Sequence, residues 1–506
     1  MSDASPEVCG FDLVVYAASP SGVAAAVAAA RLGVRVLLLE PDGHVGGLNT
    51  SGLNNNEQHH MFPAETFGGI CREFFDRLAG HYPETWPSRP GWFNSRHFES
   101  ELLRLLDHPR ITVRYDSRLT AVTMRDRRID RIVLEDGTSV SAAAFIDASY
   151  EGDLLAAAGV PFRTGREGRS EAEPMAGVTW ADPLIPVSPR DGEGVLPGLS
   201  HQPPPEESEA SDQVQVMNFR ITLTSRPDNR IPIPSPDAYA LRDHELLARC
   251  IEAGTVTELK QVLGLYPLPG DKYECNNNQR AVVSLAMRGI ATPWATASHA
   301  ERRQIFEQLR QYNLSLMHFL ACDPRIPDVM RQQMRSLGLP ADEYGDNGHW
   351  PYEPYIREAR RMEGVYTMTQ RDLREDRRKD DAVCLGSHYI DCHWVDRYAI
   401  GDEGFANEGR LWLKGRIFQI PYRCMLPPPQ ACSNLLVPVC VSATHVAFCG
   451  IRVEPTWMKL GEAAGTAAAL ALEAGRDMHG VDTGTLRSRL EGAGQIIDLT
   501  DAAAQL

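Results

Sequence analysis

The chain has 506 residues, 43% of them hydrophobic and 23% charged, and its 67 acidic and 51 basic residues give a formal net charge of −16. This length predicts about two domains, and the acidity disfavours nucleic acid or an anionic membrane as a partner. Residues 1–10 lack a signal-peptide pattern, and the eleven cysteines include no CxxC pair. We therefore expect a cytoplasmic protein with a small-molecule substrate, and reduced, mostly buried thiols rather than disulfides or a metal site.

A strand–turn–helix–strand pattern of about thirty residues opens the chain, the size of one βαβ unit. Residues 11–16 are rich in β-formers, and residues 17–22 are small and turn-like. Residues 23–32 predict an alanine-rich helix that stops at Gly33, and residues 34–39 are a second buried strand.

Later segments predict a helix over 96–106, a small meander over 111–115, 119–125 and 129–134, and a buried strand over 142–148. The stretch 186–213, rich in proline and acidic residues, predicts a mobile surface excursion. A strand-like run over 435–441 and an alanine-rich helix over 462–473 predict that the end of the chain returns to the first unit.

The turn after the first strand predicts a phosphate site, because glycines there let the backbone approach a pyrophosphate at a helix N-terminus. The three glycine positions are Ala17, Ser19 and Gly22, and only the third is glycine. Alanine can still make a tight turn, and Pro20 is tolerated in a first helical turn. Ser19 and Ser21 could donate hydroxyl hydrogen bonds to phosphate.

Glu40 ends the second strand, where a carboxylate accepts hydrogen bonds from the ribose of an adenosine and disfavours a 2′-phosphate. A second glycine-rich loop, HVGGLNTSG, follows over 44–52. Nicotinamide enzymes have no general need of such a loop, whereas the isoalloxazine of an extended FAD needs close backbone contacts. The loop therefore favours FAD over NAD, and the acid disfavours NADP.

Six segments resemble, in order, the FAD-dependent oxidoreductases of the xanthan-lyase type, within the glutathione-reductase-like flavoprotein superfamily. They are 12–33, 37–53 (LLLEPDGHVGGLNTSGL), 145–167 (FIDASYEGDLLAAAGVPFRTGRE), 355–373 (YIREARRMEGVYTMTQRDL), 420–427 (IPYRCMLP) and 434–472. The resemblance covers nearly the whole chain. The chain departs from the family pattern in two places. The family usually has two glycines where this chain has Ala17-Ala18, a change that could lower cofactor affinity, and the stretch 186–213 is particular to this chain.

The resemblance implies a set of FAD contacts: Ala17, Ser19, Pro20, Ser21, Gly22, Glu40, Pro41, His44, Gly46, Gly47, Leu48, Asp147, Glu151, Gly461, Gly465 and Thr466. Within this set, 46–48 would line the flavin, and Asp147 with the turn 151–153 would pack under the pyrophosphate. Residues 461–466 would place a helix N-terminus against the flavin pyrimidine ring, where it stabilises the negative charge of reduced flavin.

The stretch 442–454 directly precedes that helix and would place His445 and Arg452 near the flavin ring. His445 is the leading candidate for a general base, because its ordinary pKa lies near physiological pH; the alternative is a hydrogen-bonded structural histidine. Arg452 would bind a substrate carboxylate or stabilise reduced flavin; the alternative is an ion pair with Glu454 or another acid.

Three further features carry candidate chemistry. Tyr389, Asp391 and His393 alternate as on a strand, and would form either a base arrangement or a polar surface. Arg361 lies in an arginine-rich stretch, 357–361, that predicts a helix, and would contact substrate or form ion pairs. His44 lies where some related flavoproteins attach FAD covalently, and the alternative is a non-covalent contact or a loop role.

These observations predict an α/β fold with a Rossmann-like FAD-binding domain over 1–165 and 430–506 and an inserted mixed α+β substrate domain over 166–429. The predicted function is that of an FAD-dependent oxidoreductase, a dehydrogenase or oxidase that removes two hydrogens from a small polar substrate. The hydride would pass to flavin N5 and the proton to a histidine. The alternatives are a non-redox flavoenzyme, such as a lyase or isomerase, and a cofactor-free binding module, which the missing glycines allow.

Overall fold

The computed structural model describes residues 7–278, 281–501 and 503. The helices in this part of the chain are α1 Pro20–Arg31, α2 Gly47–Thr50, α3 Pro63–Thr66, α4 Gly69–Ala79, α5 Ser95–Leu106, α6 Asp153–Ala157, α7 Glu245–Glu252, α8 Ala291–Thr296, α9 His299–Cys322, α10 Asp328–Ser336, α11 Gln370–Arg374, α12 His445–Ile451, α13 Glu454–Ala474 and α14 Thr483–Gly492.

The strands of the same described residues are β1 Glu7–Val8, β2 Leu13–Tyr16, β3 Val36–Leu39, β4 Ile111–Arg114, β5 Leu119–Arg125, β6 Arg128–Leu134, β7 Ser139–Val140, β8 Ala144–Asp147, β9 Phe162–Arg163, β10 Arg190–Asp191, β11 Gly194–Val195, β12 Ile221–Thr224, β13 Arg230–Ile231, β14 Leu263–Leu268, β15 Lys272–Asn277, β16 Leu339–Pro340, β17 Arg361–Met362, β18 Ala382–Gly386, β19 Ile390–Cys392, β20 Asp396–Ile400, β21 Gly404–Glu408, β22 Leu411–Leu413, β23 Phe418–Pro421 and β24 Leu435–Leu436.

Five parallel strands form the central sheet, in the order β24–β8–β2–β3–β4. Leu13 of β2 pairs with Val36 of β3 on one side and with Ala144 of β8 on the other. β2, β3 and β8 are buried along their whole length, which explains their continuous apolar sequence. β24 adds the end of the chain to the sheet formed by its beginning, so the predicted Rossmann-like fold class is confirmed.

The two faces of the sheet contact different layers. Leu13 and Val15 point into the main core, together with the small residues of α1 and α13. Val14 and Tyr16 point into a second core against β5, β6 and β7. This alternation follows from the two-residue period of a strand, and it leaves only the carboxyl ends of the strands open to a ligand.

Helices α1 and α13 approach each other closely because glycines line their contact. A Cβ atom on Gly461 would lie 2.0 Å from the carbonyl oxygen of Ser21, and one on Gly465 would lie 2.1 Å from that of Ala25. Gly461 and Gly465 therefore serve the packing of two helices, and any larger residue would force the helices apart.

The position of these glycines corrects one prediction. α13 begins at Glu454, about two turns before Gly461, so residues 461–466 do not form a helix N-terminus. Thr466 lies in the middle of the helix, where its Oγ1 donates a hydrogen bond of 2.8 Å to the Glu462 carbonyl. The helix N-terminus that the sequence analysis expected near the flavin is instead formed by residues 453–456.

Three further predictions are corrected. Strand β4 pairs with β3 in the parallel sheet, whereas the small meander consists of β5, β6 and β7 with β1 beside it. The stretch 186–213 carries the hairpin β10–β11 and buries Leu196 and Leu199, so it packs on the body of the protein. Residues 355–360 are extended rather than helical, because Tyr355 bridges to Asn218 and Arg361 enters β17.

The inserted part of the chain covers the carboxyl edge of the sheet. Its antiparallel sheet β12–β15–β14 lies in the main core, and its longest helix, α9, runs for 24 residues. Ser298 and Glu301 form a capping box at the start of α9. None of the helices in the described residues combines the length and the apolar character needed to cross a membrane.

Candidate active site

The turn after β2 is shaped by its backbone. Ala17 adopts a left-handed conformation with φ of 71°, and a Cβ atom on Gly22 would lie 2.0 Å from the Ala17 carbonyl oxygen. Ser19 caps α1, because its Oγ accepts a hydrogen bond from Gly22 N at 3.3 Å and donates one to Ala148 O at 2.8 Å. The buried Ser21 Oγ has no hydrogen-bond partner among the described residues.

Replacing Ala17 with glycine is expected to stabilise the protein. A left-handed conformation costs an L-residue roughly 1–2 kcal/mol and costs glycine almost nothing, so the gain after unfolded-state entropy is about 1 kcal/mol. Chemical denaturation measures the free energy of unfolding. Ala18→Gly is the matched control, since Ala18 is not among the described residues with positive φ, and this variant should lose stability. Equal effects of the two substitutions would contradict the prediction.

Glu40 extends from the end of β3 towards this turn. Its Oε2 accepts a hydrogen bond from Ala18 N at 2.8 Å, and its Oε1 accepts one from Asp42 N at 2.9 Å. Burial raises the pKa of Glu40 to about 8, although both hydrogen bonds favour the charged form. Each oxygen keeps a further lone pair, so a ribose hydroxyl can donate to this carboxylate.

An outer cavity of about 400 Å³ opens at the ends of these strands. The strand-end side is lined by Ala17, Ser19, Glu40, Pro41, Asp42, Gly47, Arg118, Ser149, Tyr150, Glu151 and Asp153. The inserted part contributes Trp294, His299, Arg302, Arg303, Phe306, Tyr352, Glu353, Pro354 and Ile356. Arg302 of α9 donates hydrogen bonds of 2.7 and 2.8 Å to Asp153, and Arg303 of the same helix also lines the cavity, where a guanidinium suits a diphosphate.

The turn after β8 forms one wall of the outer cavity. Asp147 is committed to the turn itself: it accepts hydrogen bonds from Ser149 N at 3.0 Å and from Leu155 N at 2.7 Å. Glu151 lines the cavity and accepts a hydrogen bond from Trp294 Nε1 at 2.8 Å. Asp147 therefore acts by shaping the turn, and Glu151 is the residue of this pair that reaches the cavity.

Three carboxyl groups meet in the outer cavity. Oxygens of Glu40, Asp42 and Glu353 lie within 4.8 Å of one another. Burial, together with the charges of Glu40 and Asp42, raises the pKa of Glu353 well above its ordinary value. An ionised Glu353 would repel a phosphate-containing ligand, so the affinity for such a ligand should depend on this group.

Glu353→Gln is expected to strengthen FAD binding, and the gain should grow as the pH rises, to about tenfold in alkaline solution, which corresponds to roughly 1.4 kcal/mol. The raised pKa delays the ionisation of Glu353, so the repulsion is weakest in acid. Titration of flavin-stripped protein with FAD, followed by flavin fluorescence, measures the effect, and exposed Glu65→Gln is the control. An equal pH dependence in wild type and Glu353→Gln would contradict the prediction.

The glycine-rich loop after β3 leads from the outer cavity to α13. Gly46 and Gly47 have φ of 102° and 50°, and a Cβ atom on Gly47 would lie 2.5 Å from the Tyr150 hydroxyl. That hydroxyl accepts a hydrogen bond from Leu48 N at 3.2 Å and donates one to Glu454 Oε1 at 2.7 Å. Burial raises the pKa of Glu454 to about 8, and its Oε2 has no partner in the described part of the chain.

A smaller inner cavity of about 30 Å³ lies beyond Ile356, which lines both spaces. Its other lining residues are Leu48, Leu53, Asn55, Asn56, Glu57, Arg220, Tyr355, His388, Asp391, Arg452, Val453, Glu454 and Trp457. The inner cavity therefore combines two arginines and a histidine, which can carry positive charge, with the N-terminus of α13, which attracts negative charge.

The two arginines are buried and held in fixed positions. Arg220 forms an ion pair of 2.5 Å with Glu274, and its guanidinium lies 4.2 Å from the centre of the Tyr355 ring. Arg452 donates a hydrogen bond to the Asp391 carbonyl and lies 3.5 Å from its carboxylate. The Nε atoms of both arginines lack hydrogen-bond partners among residues 7–278, 281–501 and 503, so each retains a donor for an anionic ligand.

His388 is the histidine that lines the inner cavity, and it is not among the catalytic residues predicted from the sequence. Its Nδ1 lies 3.3 Å from the Cys449 carbonyl oxygen, and its Nε2 lies 3.5 Å from the Glu57 carboxylate. A carbonyl only accepts hydrogen bonds, so Nδ1 carries the proton in the neutral ring and Nε2 is the basic nitrogen. His388 thus has the tautomer and the position of a proton acceptor.

His445 is buried away from the residues that line either cavity. Its Nδ1 lies 2.8 Å from Glu358 Oε2, and its backbone N donates a hydrogen bond of 2.8 Å to Glu167. Burial disfavours the charged ring, but the Glu358 carboxylate raises the pKa of His445 above its ordinary value. His445 therefore matches the alternative of a hydrogen-bonded structural histidine rather than the predicted base.

Two cysteines contact this network. Cys392, His445 and Cys449 place ligand-type atoms within 4.8 Å of one another, and the Cys449 Sγ accepts a hydrogen bond from Gln215 Nε2 at 3.1 Å. Burial opposes ionisation of the Cys449 thiol, but hydrogen bonding by Cys392 and the charges of His445 and Arg452 lower its pKa to about 7. All eleven cysteines are free thiols in the structure, and only Cys9 and Cys322 are exposed.

Arg361 belongs to the same network. It forms ion pairs of 2.8 Å with both Glu167 and Glu358, and it donates a hydrogen bond of 2.8 Å to the Ala443 carbonyl. Arg361 is fully buried and lines neither cavity. It therefore matches the ion-pair alternative, and it acts on the site only by positioning Glu358 and, through it, His445.

The polar strand 389–393 divides between two environments. Asp391 lines the inner cavity, and His393 Nε2 lies 3.6 Å from its carboxylate. Burial and the charge of Arg357 lower the pKa of His393 to about 3, so its ring is neutral and a weak base. Tyr389 stacks on Trp412 at a centroid distance of 4.7 Å, and Trp412 is exposed. Neither His393 nor Tyr389 lines the outer or the inner cavity, and a catalytic role for them stays a prediction.

His44 is enclosed by acids. Its Nδ1 lies 2.9 Å from Glu99, its Nε2 lies 2.8 Å from Asp346, and its ring stacks on Tyr352 at 3.7 Å. The two carboxylates raise the pKa of His44, against the effect of burial. Both ring nitrogens are occupied and His44 lines neither cavity, so the geometry argues against a covalent link to FAD.

The βαβ unit, the carboxylate that ends its second strand and the cavity along the strand ends define a dinucleotide-binding α/β protein. The residues present fit FAD, since Glu40 can accept a hydrogen bond from a ribose and the outer cavity reaches Gly47 and shares Ile356 with the inner cavity beside α13. The buried Ser21 Oγ and Glu454 Oε2 also lack partners in the described chain. A family model described as FAD dependent oxidoreductase matches residues 12–490, and the chain belongs to this family. It is an FAD-dependent oxidoreductase.

Solved structures with some similarity include other oxidoreductases. The anhydrotetracycline hydroxylase OxyS from Streptomyces rimosus is 14% identical over 36% of this chain and 40% of its own, with a TM-score of 0.23. The 3-ketosteroid-delta4-(5alpha)-dehydrogenase from Rhodococcus jostii RHA1 is 15% identical over 30% of this chain and 47% of its own, with a TM-score of 0.20. This chain thus spans less than half of either protein, and scores this low carry no argument about its function. No curated protein matches the chain.

Proposed function

We propose that this oxidoreductase is a dehydrogenase or oxidase that removes two hydrogens from a small polar substrate bearing a carboxylate. The observation that carries the proposal is the inner cavity, where Arg220, Arg452 and His388 meet beside the N-terminus of α13. Two guanidinium groups with unpartnered Nε donors among the described residues suit a carboxylate, and a histidine with a basic Nε2 suits the adjacent C–H or O–H group.

The cofactor would be held by three parts of the chain. The turn 17–22 and the basic side chains of α9 would hold the diphosphate, Glu40 the ribose, and the loop 46–48 with the start of α13 the flavin. Bound FAD supplies the acceptor for the two electrons. Because the inner cavity has room for little more than a water molecule, side chains around Ile356 must move outward to admit both the flavin and a substrate.

The residues around the inner cavity have separate roles in this reaction. Arg220 and Arg452 bind and orient the substrate, and His388 Nε2 accepts the proton. Glu57 stabilises the protonated ring, because its carboxylate lies 3.5 Å from Nε2. Glu454, with a pKa of about 8, stays protonated near neutral pH and can donate a hydrogen bond from its unpaired oxygen. The network of Arg361, Glu358 and His445 supports α12, which carries the Cys449 carbonyl that fixes the His388 tautomer.

The resemblance of the six segments supports a narrower family assignment than FAD-dependent oxidoreductase, namely the xanthan-lyase type within the glutathione-reductase-like superfamily. It also supports the domain limits 1–165 and 430–506 for the FAD-binding part and 166–429 for the substrate part. The return of β24 to the sheet next to β8 supports the second of these FAD-binding segments.

The test begins with the visible spectrum of purified protein, before and after acid precipitation. Oxidised flavin gives absorption bands at about 370 and 450 nm. Yellow colour in the supernatant after precipitation would show non-covalent FAD, which we expect because two carboxylates occupy the ring nitrogens of His44. Anaerobic bleaching by 2-hydroxy or 2-amino acids, but not by their esters, would support the proposal. Conversion of substrate without bleaching would favour a non-redox flavoenzyme. A colourless protein that does not take up FAD would overturn the proposal.

A further inference from the structure

A second large cavity, of about 740 Å³, lies on the opposite side of helix α9 from the outer cavity. Arg302, Arg303 and Phe306 of α9 face the outer cavity, whereas Gln304, Gln308 and other residues of the same helix face the second one. The two spaces therefore share a wall but have separate linings. The volume lies in the range of small-molecule sites, roughly 300–1,000 Å³.

Apolar side chains form much of the buried wall of this second cavity, whereas the two acids that also line it, Asp243 and Glu307, are exposed. Leu246 and Leu247 of α7 form one side, and Val283 and Met287 form another. His244 Nε2 lies 2.7 Å from Ser315 Oγ. The Tyr312 hydroxyl, which also lines the cavity, donates a hydrogen bond of 2.8 Å to a backbone carbonyl. These side chains can contact a hydrocarbon or aromatic body without losing their own hydrogen bonds.

Arg397 is the exception. It lines the cavity, its side chain is only 3% exposed, and its Nε donates a hydrogen bond of 2.7 Å to Asn407 Oδ1. Its Nη2 has no hydrogen-bond partner in the part of the chain that the structure describes. The neighbouring acid, Asp396, is held by Arg288 in an ion pair. Burial accordingly lowers the pKa of Arg397 below its ordinary value.

We propose that this cavity binds an organic monocarboxylate with an apolar body, whose carboxylate pairs with Arg397. A buried guanidinium without a full set of partners is costly, and an anion in the cavity would satisfy it. Two arginines line the cavity, but Arg288 is paired with Asp396, so Arg397 alone is left for an anion. This suits a monoanion, since a second negative charge would remain buried and unpaired. The inference does not depend on the proposed reaction, because none of these residues lines the inner cavity.

The test is isothermal titration of the purified holoprotein with octanoate, with octylamine and acetate as controls for charge and for apolar body. We expect saturable one-to-one binding of octanoate only. Arg397→Gln should weaken it by about 10- to 100-fold, the fold-change for one lost charge-assisted hydrogen bond. Arg371→Gln, which removes an exposed arginine, should leave it unchanged.

A second variant is needed because Arg397→Gln alone could lose octanoate binding through misfolding. Gln308 lies on the exposed side of α9 at the cavity, so Gln308→Trp should fill the opening while leaving Arg397 in place. Gln333→Trp, at an exposed position on α10, is its matched control. Loss of octanoate binding in Gln308→Trp, with an unchanged flavin spectrum and Tm, supports the site. Binding that survives both Arg397→Gln and Gln308→Trp, equal binding of octylamine, or no saturable binding in the millimolar range would overturn it.

Discussion

Gly22→Ala is expected to lose FAD, and purified variant protein should lack the flavin absorption of the wild type. The added Cβ atom would lie 2.0 Å from the Ala17 carbonyl oxygen and 3.2 Å from the Ala148 Cβ. Both contacts involve the turn at the cofactor end of β2, and a backbone carbonyl cannot rotate away as a flexible side chain can. Overpacking costs typically about 1–3 kcal/mol and here falls at the upper end, which alone weakens FAD binding by roughly 100-fold.

The control for Gly22→Ala is Gly43→Ala, which lies just after β3 and where a new Cβ would meet no described atom within 4 Å. It should retain FAD at the wild-type level. Far-ultraviolet circular dichroism and gel filtration show whether Gly22→Ala remains folded. A folded Gly22→Ala variant with full flavin content would show that the turn 17–22 does not hold the cofactor, and the assignment of the outer cavity to FAD would fail with it.

The sequence predicted the cofactor half of the fold well, because that half depends on local patterns. The apolar runs of β2 and β3, the acid at the end of β3 and the small residues of α1 are each visible within a few residues. α1 begins at Pro20, three residues before the start of the predicted helix at Val23, so its proline lies in the first turn. The family match over 12–490 confirms the resemblance of the six segments at the level of an FAD-dependent oxidoreductase.

The sequence says less about the catalytic half, because that half depends on how distant segments meet. His445 and Arg452 are close in sequence, yet Arg452 lines the inner cavity and His445 points into a buried network with Glu358. His388 comes from the inserted part and reaches the cavity only because its ring packs against the carbonyl of Cys449 in α12. The available sequence signal for His388 is its position one residue before the alternating polar stretch 389–393, but the alternation itself points to His393.

The glycines of α13 show the same limit. A glycine pair within an alanine-rich helix fits a flavin contact or a helix contact equally well from sequence alone. The partner helix decides, and the carbonyls of Ser21 and Ala25 lie directly against Gly461 and Gly465. Only the position of α1 in space distinguishes the two interpretations.

His388→Gln is expected to lower kcat by about 10²- to 10⁴-fold, the usual contribution of a general base, while FAD content stays near that of the wild type. Glutamine keeps a hydrogen-bonding group near the Cys449 carbonyl but cannot accept a proton. Rapid-mixing measurement of flavin reduction under anaerobic conditions isolates the step that the base assists.

His393→Gln and His445→Gln are the matched controls, since both histidines are buried near His388 and neither lines a cavity. His393 is neutral at ordinary pH, with a pKa of about 3, so its loss should leave the shape of the pH profile unchanged. His445→Gln weakens the support for α12 and should lower stability more than it lowers the rate of flavin reduction. If either control instead slowed flavin reduction as much as His388→Gln is expected to, while His388→Gln itself did not, the base would belong to the buried network, and the inner cavity would be only a binding site.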